Sequence, residues 1–153
     1  MASRLSIITH VDVAAIASAL LTVETPGVGF HDITAEAKQF LQQAGAGDGV
    51  LLLYLRHTSA SLVIQENADP DVRADLLTAL DRLAPEDAGW VHELEGADDM
   101  PAHVKSMIGG VSLHVPVSAG KPELGAWQGI YVAEHRKAPH RREIVLQFIG
   151  SRK

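Results

Sequence analysis

Apolar residues recur along the 153-residue chain with two different periods, and each change of period marks the boundary of an element. Residues 1–16 carry Ile7, Ile8, Val11, Val13 and Ile16 without a consistent period, and they read as an extension outside the regular fold. The segment LLTVETPGVGFHDIT predicts a hairpin: strand Leu20–Glu24, a turn around Pro26 and Gly27, and a return strand Val28–Ile33. Thr34 is placed to cap a helix whose apolar positions Ala37, Phe40, Leu41 and Ala44 fall three and four apart, with Gly45 and Gly47 ending it.

In GVLLLYLRHTSASLVIQEN two β runs follow, Val50–Arg56 and Ser61–Gln65. The first is apolar on both faces, so it belongs in the middle of a sheet. Asp69 caps a helix with Pro70 at its first position and a stripe of Val72, Leu76, Leu80 and Leu83, stopped near Pro85. Residues 86–99 are acidic and irregular, and a short helix spans Pro101–Ile108 before Gly109 and Gly110. Strands follow at Val111–Val117, Gly129–Glu134 and Glu143–Ile149, separated by a turn at 119–122 and a basic turn. Strands and helices mix without regular alternation. The pattern therefore predicts a single α+β domain over 17–153, a mixed or antiparallel β-sandwich with two main helices and one short one.

Composition narrows the function. At 46% apolar and 21% charged the chain is ordinary globular material, and 153 residues suffice for one core. A net charge of −6 and a pI near 5.7 weigh against nucleic acid, whose backbone is recognised mainly through Lys and Arg. The apolar stretch Val11–Val23 is too short to span a bilayer and contains Asp12, so no membrane partner is expected. Without a basic start, apolar core and small-residue cleavage site, the cytoplasm is the default expectation. No Gly-rich phosphate loop of the nucleotide-binding kinds is present, so no nucleotide cofactor is expected.

Eight histidines against no cysteine leave imidazole and carboxylate as the available chemistry. His57 in RHTSASLVIQEN, His92 in GWVHELEG and His103 in DDMPAHVKSMIGG each follow or end an apolar stretch beside small or acidic residues, a setting suited to a metal ligand or general base. HTSASLVIQENADP, EGADDMPAHVKSMIGG and LGAWQGIYVAEHR occur in that order. On these three blocks the chain resembles the YjbQ family over about Leu20–Gly150.

The resemblance implies an α+β homotrimer with a polar pocket around the three histidines. It also implies a secondary thiamine-phosphate synthase activity, the joining of a hydroxymethylpyrimidine diphosphate to a thiazole phosphate. His57, His92 and His103 are then the ligands of a divalent cation, zinc or magnesium, and His57, His103, Glu66 and Ser106 carry the chemistry. A small phosphorylated metabolite would meet Thr58, Ser59, Asn67, Lys105, Gly125, Trp127, Gln128 and Arg136. Plainer roles compete at several positions: a strand-end contact to the backbone for His57, a helix cap for Asp69, and core or subunit packing for Trp127. The run EHRKAPHRR reads first as a solvated hairpin turn and second as an anion-recruiting rim. A non-catalytic metal- or metabolite-binding trimer and a metal-dependent hydrolase are the alternatives to a transferase.

Overall fold

Hydrogen-bond pairing sorts the strands of the computed structural model, which describes residues 2–153, into two antiparallel sheets. The elements run β1 (Ala15–Thr25), β2 (Gly29–Asp32), α1 (Thr34–Gln43), β3 (Ala46–Leu55), β4 (Ala60–Glu66), α2 (Pro70–Leu83) and α3 (Asp99–Gly109). They continue through β5 (Ser112–Ser118), β6 (Lys121–Pro122), β7 (Gln128–Glu134) and β8 (His140–Arg152). One sheet has the order β1-β8-β3-β5-β6 and the other β2-β7-β4. The doubly apolar run does lie centrally, with β3 flanked by β8 and β5. Between the sheets, Leu51, Leu53 and Leu55 of β3 with Ile144, Leu146 and Phe148 of β8 form one core with Leu62, Ile130 and Val132 of the smaller sheet.

Helix α1 adds Ala37 and Leu41 to that core and ends where Gly45 adopts φ +63°. Thr34 does not cap it: its Oγ1 accepts the Ile130 amide at 2.9 Å, while its own amide is taken by Asp32 Oδ1 at 2.8 Å. Asp69 does cap α2, its Oδ1 accepting the Asp71 amide at 2.9 Å. The α2 stripe is only half-buried, and Leu83 at its end is 65% exposed. Helix α3 begins two residues earlier than the pattern suggests, because Asp99 supplies its first turn.

Two expected hairpins, at 20–33 and at the basic run, are not hairpins. β1 pairs with β8 and β2 with β7, so the chain crosses between sheets at residues 26–28. The chain likewise passes from one sheet to the other between β3 and β4, and between β7 and β8, where the basic run lies. Periodicity reports a strand's burial, whereas the identity of its neighbour depends on residues distant in sequence. The β1–β2, β3–β4 and β7–β8 crossings fall at one end of the sandwich, as Thr25 pairs with His140 and both Gly29 and Ala60 pair with Glu134. A buried fork ties them together. Arg142 Nε donates to Glu134 Oε2 at 2.7 Å, and its terminal nitrogen donates to Glu134 Oε1 at 2.6 Å and to Ser59 Oγ at 3.0 Å. Thr25 Oγ1 donates to Glu134 Oε2 at 2.7 Å. EHRKAPHRR is therefore neither solvated nor a turn at its two ends: Glu134 and Arg142 are 0% and 3% exposed.

Candidate metal and metabolite site

Asp99 and His103 stand one turn apart on the same face of α3, a spacing that brings their side chains together. His92 reaches them from the irregular loop after α2. Its Nε2 lies 2.6 Å from Asp99 Oδ2, and His103 Nε2 lies 3.2 Å from the same oxygen. The two rings meet edge to face with centroids 5.6 Å apart. One donor atom from each residue lies within 4.8 Å of the others. Tetrahedral ligands about 2.1 Å from a zinc ion stand roughly 3.4 Å apart, so small side-chain rotations suffice to accommodate one.

Asp99 is almost fully buried. Burial alone raises its carboxyl, but the hydrogen bond from His92 and the charges of Arg136, His103 and His92 overcome this and hold it below the usual range. Arg136, on the β7–β8 crossing, grips two carboxylates: Nη1 lies 2.5 Å from Asp99 Oδ1, and Nε lies 3.1 Å from Asp98 Oδ2. Its role here is to orient Asp99 from behind, leaving Oδ2 to the histidines. Asp98 also accepts the Lys137 amide at 2.9 Å. It flanks the helix without capping it through its side chain.

His57 takes another position. Its Nε2 accepts the backbone N–H of Glu143 at 2.8 Å, so the ring is neutral with its proton on Nδ1. Burial, followed by the nearby Arg142 charge, lowers its pKa. This nitrogen is occupied, and His57 lies outside the His92–Asp99–His103 group. His57 and His103 nevertheless line one cavity of about 740 Å³ together with Arg56, Thr58, Ser106 and Met107. Ser106 donates its hydroxyl to Ala60 O at 2.7 Å, and Ser59 Oγ accepts from Arg142, so both hydroxyls have structural partners.

The remaining sequence candidates lie elsewhere. Glu66, at the far end of β4, accepts the Asp69 amide at 2.7 Å. Asn67 donates to the carbonyls of Ala126 and Gln128, and Gln128 Oε1 accepts the Gly125 amide at 2.8 Å. Trp127 is 66% exposed beside them. Six strand residues separate Ala60, beside Ser106, from Glu66, a span of roughly 20 Å at about 3.3 Å per residue. Within one chain these five residues form a separate polar cluster. Lys105 points to the opposite side of α3 from His103, two residues being about 200° of helix turn, and its Nζ lies 2.5 Å from Asp81 Oδ1.

Sequence reading passed over Asp99 as a ligand, although its four-residue spacing from His103 was available as a signal. It also passed over His135, which is 3% exposed and bonded through Nε2 to Ser61 Oγ at 2.8 Å. No local signal distinguished this histidine from its basic neighbours.

The fold and the site define an antiparallel α+β sandwich carrying a histidine–carboxylate cluster at the crossing end. Residues 19–151 match the family model described as UPF0047 protein YjbQ-like. The chain belongs to the YjbQ/UPF0047 family. A UPF0047 protein of Synechocystis sp. is 42% identical over 132 residues, covering 86% of this chain and 90% of that protein. The UPF0047 protein YjbQ of Salmonella typhimurium is 44% identical over 131 residues, covering 85% and 95%. The crystal structure of an uncharacterized conserved YjbQ/UPF0047 protein from Clostridium acetobutylicum superposes with a TM-score of 0.79 at 35% identity, covering 86% of this chain and 99% of that one. No helix among the described residues is long and apolar enough to cross a membrane.

Proposed function

We propose that the protein holds a divalent cation on His92, Asp99 and His103 and binds a small phosphorylated metabolite in the adjoining cavity, where it catalyses a slow transfer of the thiamine-phosphate synthase type. The observation carrying this reading is the convergence of the three donor atoms within 4.8 Å, with His103 also on the wall of the 740 Å³ cavity. Two imidazoles and one carboxylate suit zinc better than magnesium, which favours oxygen ligands. A cation held by His92, Asp99 and His103 would supply positive charge to a departing diphosphate. Arg56 and Thr58 offer a guanidinium and a hydroxyl to a phosphate, and the Nδ1–H of His57 is a further donor from the same wall. Asp99 keeps its charge because Arg136 balances it from behind.

A second reading, a binding protein without turnover, is favoured by one observation. His57 Nε2 and the Ser106 hydroxyl are already bonded to the backbone, which leaves the cavity short of a free general base. The two readings separate in one experiment on the zinc-loaded protein, with turnover of hydroxymethylpyrimidine diphosphate and thiazole phosphate followed beside zinc affinity. Turnover is expected to fall about a hundredfold in His103→Ala, with zinc binding weakened and the circular dichroism spectrum retained. Zinc and phosphate-ligand binding by a wild type without turnover above background would overturn the transferase and leave the binder. Failure of wild type and His103→Ala to differ in zinc affinity would overturn the cation site itself.

A further inference from the structure

A second cavity lies on the other side of α3 from the proposed cation site, between α2, α3 and the outer face of the smaller sheet. It holds about 170 Å³ and is walled by Phe30, Val63, Leu76, Leu80, Ile108 and Ala133. Its polar groups are few: Ser61, His135 and Lys105 are 1%, 3% and 7% exposed, and Gln65 is half-buried. His135 and Lys105 also line a neighbouring cavity of about 480 Å³, so they stand where the apolar chamber meets a more polar vestibule with Asp81, Glu86 and Lys137 at its rim. This arrangement combines an apolar body, a cationic head and a route in.

We propose that this chamber is a binding site for a small ring carboxylate, with the ring among the apolar side chains and the carboxylate on Lys105 and His135. Size supports a single ring, because a cavity of roughly 150 Å³ lined by aliphatic and aromatic side chains takes up one benzene. Charge supports an anion. The Lys105 ammonium has three donors and among the described residues bonds only to Asp81, whose side chain is 71% exposed and free to move into water when a ligand carboxylate replaces it. His135 bonds through Nε2 to Ser61 Oγ and leaves its second ring nitrogen without a partner among the described residues. Around that ring, Lys105 from α3 and Arg142 from β8 are positive, and the acids nearby are each paired: Glu134 with Arg142, Asp98 with Arg136, Glu86 with Lys137 and Asp81 with Lys105. With no group orienting the second nitrogen, the Ser61–His135 pair lacks the third member an acyl-transfer site requires, so it belongs to a binding site rather than a nucleophile. Gly109 keeps the chamber's end wall close: a Cβ there would lie 2.4 Å from Ser61 Oγ.

The site is separate from the proposed cation site, and its test needs neither metal nor turnover. Benzoate is titrated into the full-length protein by calorimetry, with the His135 ring followed by NMR and benzyl alcohol as the neutral probe. Millimolar or tighter benzoate binding that shifts the His135 resonances is expected, with benzyl alcohol about tenfold weaker. Lys105→Met should weaken benzoate about tenfold or more, and Val63→Phe should abolish binding by filling the chamber. Asp81→Asn, a change at an exposed side chain that leaves the core untouched, should tighten benzoate several-fold by releasing Lys105. The proposal is overturned if benzoate fails to bind, if benzyl alcohol binds equally well, or if Asp81→Asn leaves the affinity unchanged.

Discussion

Arg142 illustrates how much a single residue's environment depends on the fold. It stands in a run of six basic side chains within nine residues, yet its guanidinium is buried and forked onto Glu134. Burial pushes the Glu134 carboxyl up, but hydrogen bonds from Arg142, Thr25 and the Arg136 amide bring it below its usual range. Glu134→Gln should cost about 3–5 kcal/mol in denaturant unfolding, because it strands a buried cation. Adding Arg142→Met should recover most of the loss. His135 contributes in the opposite charge sense. Burial, then Lys105, lower its pKa from 6.5 to about 4, with Arg142 adding to the effect against Glu134. Since the folded value lies below the unfolded one, its contribution is intact above pH 6.5 and is lost as pH falls towards 4. The full loss is about 3 kcal/mol. His135→Gln, which keeps a partner for Ser61, should flatten stability against pH across that window, and an unchanged slope would show that the ring titrates normally.

At the scale of elements, α3 divides the chemistry between its faces. Asp99 and His103 face the cluster with His92, while Lys105 turns towards α2 and the second cavity. β4 divides it along its length, with Ala60 and Ser61 at the crossing end and Glu66 at the other. Glu66→Gln therefore tests a local role: it should leave zinc affinity unchanged and reduce stability by about 0.5–1 kcal/mol through the weakened bond to the Asp69 amide. A tenfold loss of zinc affinity in that variant would instead place Glu66 in the cation site.

At the scale of the whole molecule, the outer face of the larger sheet presents half-buried and exposed side chains along β1, β8, β3 and β5. Its register aligns Ile16, Ile149, Val50 and Pro116 in one row and Leu20, Val145 and Tyr54 in another, all half-buried or exposed. Between these rows the same face carries Ser18, Gln147, Leu52 and His114, so apolar and polar side chains alternate there as they do in subunit interfaces. The proposed homotrimer would bury it, at roughly 800 Å² or more per partner for a stable contact. Light scattering at micromolar concentration should give a trimer mass for the wild type and a monomer mass for Leu20→Glu combined with Leu52→Glu, with the fold retained by circular dichroism. A monomeric wild type would remove the proposal.

The amino-acid sequence alone determined what depends on near neighbours. The 3.6-residue stripe with Asp69 and Pro70 defined α2, the doubly apolar VLLLYL run placed β3 in the middle of a sheet, and three motif blocks identified the family. Period and capping are properties of a few adjacent residues, so they survive without any knowledge of the fold. Tertiary structure decided which strands pair, and so converted two apparent hairpins into crossings between sheets. It also decided which histidines meet. His57, His92 and His103 look alike in sequence, but His57 sits where the Glu143 amide reaches it, and Asp99 completes the group in its place. Long-range contacts set those partners, because a side chain's burial and hydrogen bonds come from segments as many as 109 residues away.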